Sequence, residues 1–243
     1  MANIAQVVCA WPPYAGGIGN SAAQIERLLS FNHQVASFHP DNLRPWLRRG
    51  HGAFAPSLLW RLRHFDFIYL HYPFFGGAEL VWLFKLISPK TRLIIHYHMD
   101  AKLEDRLALW LSRPGLWLRP CLLRQAEKIV CGSLDYVKHS QISGYFQKHP
   151  EKFVEIPFGL DIDLFQPKAV NRPARNPIMA KAQDIIRFVN EKFIRKDQLR
   201  LIFVGGLDRA HYFKGVDILL KALGGLKQRR FKLTICGEGD LKA

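Results

Sequence analysis

The sequence predicts an α/β protein in which parallel, doubly wound sheets carry helices on both faces. Short apolar runs alternate with stretches where apolar residues recur at steps of three and four, as in strands joined by crossover helices. A strand, a glycine-rich turn and a helix occur together twice, near residues 4–30 and 199–226. We therefore expect one complete doubly wound domain and the beginning of a second.

The predicted elements follow one another at short intervals. Strands are predicted at 4–10, 35–38, 67–70, 93–97, 128–131 and 152–156, and crossover helices at 22–30, 78–87, 103–111 and 134–142. Because these strands are almost continuously apolar, we expect them to be buried on both faces. A second series, with strands at 201–204 and 232–236 and a helix near 216–226, begins another sheet.

Three segments are expected along the chain. They are a domain over 1–168, a linker over 169–198 with a helix at 179–192, and the start of a second domain over 199–243. The last segment is too short to bury both faces of a sheet, since an independent domain usually has about 100 residues or more. We therefore expect the chain to be truncated at its C-terminus.

Composition and charge narrow the class of protein. The chain has 243 residues, 49% of them hydrophobic, with a formal charge of +15 and a pI near 9.9. This composition excludes disordered, collagen-like and coiled-coil proteins. The four cysteines have neither the spacing of a zinc site nor the density of a disulfide framework, which favours a reducing, cytosolic compartment. Neither a signal peptide nor a membrane span is expected.

The turn after the first predicted strand contains Gly16, Gly17 and Gly19 and precedes a helix. Glycines let backbone N–H groups approach a ligand, and a helix N-terminus attracts a phosphate or a sugar hydroxyl. The order of the glycines differs from the dinucleotide fingerprint G-x-G-x-x-G, and no P-loop lysine follows. The alternative is a tight turn that binds nothing.

A second glycine turn, with Gly205 and Gly206, is followed by Arg209 and Lys214. A lysine beside a helix start can pair with a diphosphate that backbone N–H groups also hold. Together with the first turn, this pattern predicts a nucleotide diphosphate as the ligand. A solvated lysine beside a capping glycine is the alternative.

His96 and His98 lie at the end of a predicted strand, at the edge where open α/β sheets bind ligands. Strand alternation places both histidines on one side of the sheet and Tyr97 on the other. A role in a cleft is favoured, and a buried histidine with satisfied hydrogen bonds is the alternative. Because only Asp100 could complete a ligand set, no metal is expected. His71 ends the preceding strand in a similar way.

Seven motifs occur in a fixed order along nearly the whole chain. They are residues 13–19, His71-Tyr-Pro-Phe, Tyr97-His98-Met-Asp100, Ser133-Leu-Asp-Tyr136, Ile156-Pro-Phe-Gly-Leu-Asp161 with Phe165 and Pro167, Phe203-Val-Gly-Gly-Leu with Lys214-Gly215, and Cys236-Gly-Glu-Gly-Asp-Leu. The ordered set resembles the retaining, nucleotide-sugar-dependent glycosyltransferases of family four. These enzymes have the GT-B fold of two facing Rossmann-like domains, an N-terminal acceptor-side domain and a C-terminal domain that binds the nucleotide-sugar.

This resemblance implies a role for each site residue. Gly16 and Gly17 would approach the donor phosphates and the reacting sugar, and Lys214 would pair with the diphosphate. His98 would lie beside the donor sugar, where it stabilises the transition state by hydrogen bonding or helps to bind the acceptor, and Asp100 would orient it. The family neutralises the diphosphate with cations and helix dipoles instead of a metal. Neither a metal nor a cofactor is therefore expected.

The sequence departs from the family pattern at two places. Gly206 stands where the family commonly has an arginine, and we expect Arg209 to reach the same phosphate oxygens. The family's paired glutamates, which contact the donor sugar and ribose, would lie beyond Ala243. We therefore expect residues 1–243 alone to be inactive and the complete gene product, or a complementing second chain, to transfer sugar.

Arginines and tryptophans cluster in residues 42–64, which contain no acidic residue, and again in residues 103–124. The members singled out for the acceptor and membrane side are Arg44, Trp46, Arg48, Arg49 and Trp60. Such mixtures suit an anionic membrane surface. Helices packed in the core with solvated arginine tips are the alternative.

These observations predict a cytoplasmic hexosyltransferase, peripheral at the inner face of the cell membrane. It would move a hexose, with retention, from a nucleotide-diphosphate sugar to a glycan or lipid-linked acceptor in polysaccharide or lipopolysaccharide biosynthesis. A sugar- or lipid-binding remnant of such an enzyme is one alternative. A nucleic-acid-binding protein is another, disfavoured because no nucleic-acid-binding motif accompanies the basic charge.

Overall fold

A computed structural model describes residues 1–13, 16–101, 106–159, 198–207, 214–226 and 230–239. The chain divides into two compact units, Met1–Asp161 and Ile162–Ala243. The helix predicted at 179–192 and the side chain of Arg209 lie outside the described residues.

The first unit is built on a parallel sheet with helices between its strands. Its strands are β1 (Asn3–Val7), β2 (Gln34–Phe38), β3 (Leu47–Arg49), β4 (Gly52–Phe54), β5 (Phe67–Tyr72), β6 (Arg92–Tyr97), β7 (Lys128–Cys131) and β8 (Phe153–Glu155). Its helices are α1 (Gly17–Leu29), α2 (Pro40–Leu43), α3 (Ser57–Arg61), α4 (Gly77–Ile87), α5 (Arg106–Gln125), α6 (Leu134–Lys138) and α7 (Ser143–Lys148). The six-stranded sheet has the order β2-β1-β5-β6-β7-β8, and β3 pairs with β4 in a separate antiparallel hairpin.

This sheet confirms the prediction of an α/β fold with a parallel sheet. All six strands predicted in the first series are present, and their inner strands form the core. Core side chains with no exposed surface include Ala5, Val7, Ile68, Leu70, Ile95 and Ile129. Burial on both faces is wrong for β2 and β8, which keep exposed residues because each has a neighbouring strand on only one side.

The strand order reverses direction beside β1. The chain moves from β1 to β2 on one side and then crosses to β5 on the other side of β1. Ligands of open α/β sheets bind outside the carboxyl ends of the strands at such a reversal. In this chain the carboxyl end of β1 leads into the first glycine turn, and that of β5 carries His71.

Two helix predictions are wrong in their extent. The helix predicted at 103–111 is α5, which continues past Pro114 and Pro120 to Gln125. Each internal proline removes a backbone hydrogen bond, but packing outweighs this loss, since Leu122 and Leu123 are buried in the core. The helix predicted at 134–142 is two short helices, α6 and α7.

The second unit contains β9 (Gln198–Val204), α8 (Val216–Gly224) and β10 (Arg230–Cys236), with β9 and β10 paired in parallel. Its sheet leaves apolar side chains uncovered, since Ile202 and Val204 are 69% and 72% exposed.

No helix among the described residues combines the length and the apolar character needed to cross a membrane.

Candidate functional site

Three histidines form a row at the carboxyl edge of the first unit's sheet. His71 on β5 and His96 on β6 are register partners, and the N–H of His98 donates to the Tyr72 carbonyl just beyond the strand. The His96 and His98 rings stack with centroids 4.0 Å apart, and those of His71 and His98 lie 5.1 Å apart. His96 and His98 share one side of the strand, as alternation predicts.

Hydrogen bonds and one aromatic ring hold this row in place. His71 Nδ1 and His98 Nε2 are hydrogen-bonded at 2.8 Å, and Tyr69 Oη lies 3.2 Å from His96 Nδ1. Phe158 stacks beside His96 and His98, with centroid distances of 5.9 and 5.8 Å. These contacts restrict the three imidazoles to one layer.

All three imidazoles are neutral at physiological pH. Burial lowers the pKa of His96 to about 4, and burial together with repulsion by His96 lowers the pKa of His98 to about 3. Burial and the two neighbouring histidines hold the pKa of His71 well below its usual range. A neutral imidazole donates one hydrogen bond and accepts one, so His98 can bind an uncharged hydroxyl group but supplies no charge to a phosphate.

The N-terminal half of α1 lies on the same face of the sheet as the histidines. Gln6 is the register partner of Tyr69, so their side chains share a face, and Gln6 Nε2 donates to the carbonyl of Ala22 in α1 at 2.9 Å. The same face carries His71, which lies two residues after Tyr69 on β5, and His96, which is the register partner of His71. The glycine turn and the histidine row therefore belong to one edge and one face.

The glycines of this turn serve different purposes. A β-carbon on Gly19 would lie 2.9 Å from the Ala10 carbonyl oxygen, so Gly19 is required by the close packing of α1 on β1. A β-carbon on Gly17 would meet no atom within 4 Å, and Gly16, which precedes the helix, provides no side-chain cap. As far as the described residues show, the space beside Gly17 is open, so a ligand can approach the N–H groups at the start of α1.

Asp100 makes different contacts from those expected of a residue that orients His98. Its Oδ1 accepts hydrogen bonds from the Tyr97 hydroxyl and from the Gln141 N–H, the latter at 3.0 Å, and its N–H donates to the Tyr136 hydroxyl at 2.8 Å. These contacts join the end of β6 to the segment around α6. Among the described residues, His71 is the hydrogen-bond partner that orients His98. The Asp100 carboxylate is held on the side of the sheet where Tyr97 lies.

The second unit brings its two glycine motifs together. The Gly205 N–H donates to the Cys236 carbonyl at 3.0 Å, and the Leu207 N–H donates to the Glu238 carbonyl at 2.8 Å. The Lys214 side chain is near this turn, because a β-carbon on Gly205 would lie 3.6 Å from its Cγ. Gly206 and Lys214 are thus neighbours at one sheet edge, whereas Arg209 lies outside the described residues.

The predicted acceptor-side residues are all exposed, and we call them together the basic aromatic surface. Trp46 is 82% exposed at the start of the β3–β4 hairpin, and Trp60 is 65% exposed on α3. Arg44, Arg48 and Arg49 are also exposed, and Arg48 pairs with Asp41. The structure excludes packing of these two tryptophans in the core.

An apolar cleft of about 220 Å³ adjoins Trp60. Its walls are formed by side chains of α3, α4 and the turns that follow them, namely Leu59, Trp60, Arg63, Phe84, Ile87 and Ser88. The Arg63 guanidinium lies 4.6 Å from the centre of the Trp60 ring, a cation–π distance. On α5, Trp110 and Trp117 are exposed as well.

The sequence did not predict three features of the site. These are the contact of Tyr69 with His96, the hydrogen bond between His71 and His98, and the stacking of Phe158 beside the row. The repeated spacing of aromatic or histidine residues two apart in Tyr69-Leu-His71 and His96-Tyr-His98 was a usable signal. One ring nitrogen from each of His71, His96 and His98 lies within 4.8 Å of those of the other two, so these residues could hold a metal ion.

The sequence matches no protein-family model, and the search of curated proteins finds no significant match.

Proposed function

We propose that the protein transfers a hexose, with retention, from a nucleotide-diphosphate sugar to a glycan or lipid-linked acceptor, on a GT-B architecture. The bond between the anomeric carbon and the diphosphate breaks with both electrons remaining on the diphosphate. The acceptor hydroxyl gives its proton to the leaving diphosphate, and its oxygen bonds to the anomeric carbon. The proposal rests on the ordered motifs and on the site in the first unit.

The observation that carries the proposal is the combination at the strand reversal beside β1. The open start of α1 at Gly17 lies on the same face and edge as a row of neutral imidazoles. Backbone N–H groups at a helix start suit a phosphate oxygen, and neutral imidazoles suit sugar hydroxyls. A nucleotide-sugar offers both groups in one molecule.

Within this proposal each residue has a limited task. His98 hydrogen-bonds the donor sugar or the acceptor, because a neutral ring cannot neutralise the diphosphate. Gly16 and Gly17 admit the donor to the start of α1, and Lys214 is proposed to pair with a diphosphate. Arg209 is proposed to supply the cation that Gly206 does not. The transfer uses no metal and no cofactor.

The basic aromatic surface supports the membrane part of the proposal. Exposed tryptophans beside arginines bind the interface of anionic membranes, where the indole ring enters the headgroup region and the arginines meet lipid phosphates. A lipid-linked acceptor would be reached from such a surface. We therefore propose a peripheral position at the inner face of the cell membrane.

Gly17→Ala tests the site without disturbing the fold. Thermal shift and calorimetric titration with UDP-, GDP- and ADP-hexoses should identify one donor that stabilises the protein. The added methyl group occupies open space in the free protein and obstructs the donor. We expect Gly17→Ala to weaken binding of that donor about tenfold and to leave the melting temperature unchanged.

Gly144→Ala is the matched control, because a β-carbon there also meets no atom within 4 Å and the residue lies in α7. This variant should bind the donor like the unchanged protein. Equal donor affinity in Gly17→Ala, or no binding of any nucleotide-sugar, would contradict the proposal. Donor binding without hexose transfer by the complete gene product would instead indicate a sugar-binding remnant.

A further inference from the structure

The histidine row has unpaired nitrogens that the proposed transfer does not use. The Nε2 atoms of His71 and His96 are shielded from solvent and have no hydrogen-bond partner. Leaving a buried polar atom unpaired costs about 1–3 kcal/mol. With the ring proton on Nδ1, each of these Nε2 atoms presents a lone pair that a cationic ligand can accept.

The three side chains are already close enough together to act as ligands of one ion. One ring nitrogen of each lies within 4.8 Å of those of the other two. Neighbouring strands in register hold His71 and His96, and His98 follows two residues later on the same face. The sheet therefore fixes His71 and His96, and His98 follows directly after the end of β6.

The surroundings of His96 resemble those of a metal ligand. Its Nδ1 is hydrogen-bonded to the Tyr69 hydroxyl at 3.2 Å, which leaves Nε2 as the available atom. Histidines that bind metals usually engage their second ring nitrogen in such a bond, which fixes the orientation of the ring.

The chemistry of the ligands selects the class of ion. Neutral imidazoles suit Zn²⁺, Co²⁺, Ni²⁺ and Cu²⁺, whereas Mg²⁺ and Ca²⁺ require oxygen ligands. Three histidines with a fourth position open to water form a common arrangement for zinc. We propose that His71, His96 and His98 bind one transition-metal ion of this class, with Zn²⁺ as the reference ion.

Binding requires the rings to turn. They are nearly parallel in the free protein, with interplanar angles of 15° between His71 and His98 and 16° between His96 and His98. Ring lone pairs lie in the ring plane, so at least one imidazole rotates to point at a shared ion. His98 is the half-buried member and lies beyond the end of β6, so we expect its ring to be the one that turns. The ion replaces the His71–His98 hydrogen bond.

The metal site shares His98 with the proposed function, so the two are tested separately. It lies within the first unit, and the ion takes no part in the transfer step. Donor binding is therefore measured in the presence of a chelator, and metal binding is measured without a nucleotide-sugar. A protein that fails to bind Zn²⁺ is thus distinguished from one that fails to bind a nucleotide-sugar.

Calorimetric titration of the metal-free, tag-free protein with Zn²⁺ tests the site. We expect one equivalent to bind, and Co²⁺ to give the visible absorption of a tetrahedral complex at the same stoichiometry. Mg²⁺ and Ca²⁺ should not compete. His98→Gln and His71→Gln should each weaken Zn²⁺ binding at least tenfold, because each removes one of three protein ligands.

His139→Gln is the matched control, since His139 is an exposed histidine of the same unit outside the row. It should bind Zn²⁺ like the unchanged protein. Circular dichroism establishes that each variant is folded, and the Co²⁺ spectrum of the unchanged protein tests the site without any variant. Absence of stoichiometric Zn²⁺ binding, octahedral Co²⁺ only, or equal affinity in folded His98→Gln would overturn the proposal.

Discussion

At the scale of single residues, the sheet edge converts three titratable side chains into neutral hydrogen-bonding groups. Burial removes the water that would stabilise an imidazolium, and the proximity of the rings disfavours a second charge. Among the described residues, His96 faces Tyr69, His71, His98 and Phe158, none of which carries a negative charge at neutral pH. No carboxylate among these neighbours would therefore stabilise a proton added to the row.

The metal-free protein should consequently lose stability in mild acid. The pKa of His96 is 6.5 when unfolded and about 4 when folded, so the unfolded chain takes up the proton first. The contribution of His96 to the free energy of unfolding is fully present above pH 6.5 and is lost between pH 6.5 and about 4. His96 alone should account for a loss of about 3 kcal/mol.

Urea unfolding at a series of pH values, in the presence of a chelator, measures this loss. His139→Gln should show the same pH profile as the unchanged protein, because its ring is exposed. A free energy of unfolding that stays constant from pH 6.5 to 4 would show that the row is not buried and neutral in solution.

At the scale of elements, local sequence shapes the turn of the β3–β4 hairpin, whereas packing determines the extent of α5. Trp46, at the start of the hairpin, is exposed to solvent. The hairpin turn contains Gly50 at a φ of 55°, where a side chain would be strained. Helix α5 continues through two prolines because it packs against α4. Gly115 lies so close to Glu79 that a β-carbon there would collide with the carboxylate.

The exposed hairpin should bind anionic membranes through its tryptophan. Trp46→Ser removes a large apolar side chain that is exposed in the free protein, so the fold should be unaffected. Burial of such a side chain in the interface is worth about 1.5–3 kcal/mol, and we expect the fraction bound to anionic vesicles to fall about tenfold. Flotation with anionic and neutral vesicles measures this fraction.

Leu28→Ser provides the comparison, because Leu28 is an exposed apolar residue of the same unit on α1. Its flotation should equal that of the unchanged protein. Equal binding to anionic and neutral vesicles, or no loss in Trp46→Ser, would remove the membrane part of the proposed function.

At the scale of the whole molecule, the hydrophobic core belongs to the first unit. The buried cluster begins at Ala5, ends at Phe153 and includes residues from all six strands of the parallel sheet. In the second unit the described strands keep Ile202, Val204 and Ile235 exposed. The two units thus differ in how much apolar surface they bury on their own.

Residues 1–161 should fold without the rest of the chain. Because the core is complete within this unit, we expect one cooperative thermal transition with retained near-UV circular dichroism. Residues 199–243 alone should show no cooperative transition, since too little apolar surface is buried to offset the entropy of ordering them. Loss of cooperative unfolding in residues 1–161 would mean that the first unit depends on the second.

The sequence by itself determined the alternation of strands and helices, the parallel sheet and the two glycine turns, because apolar periodicity and glycine act locally along the chain. It also placed His96 and His98 on one side of a strand. It could not determine that His71 would complete the row, since register between strands is a long-range property. Only the tertiary structure decided that Asp100 binds Tyr97 and Gln141 instead of His98, because those contacts depend on how separate elements pack.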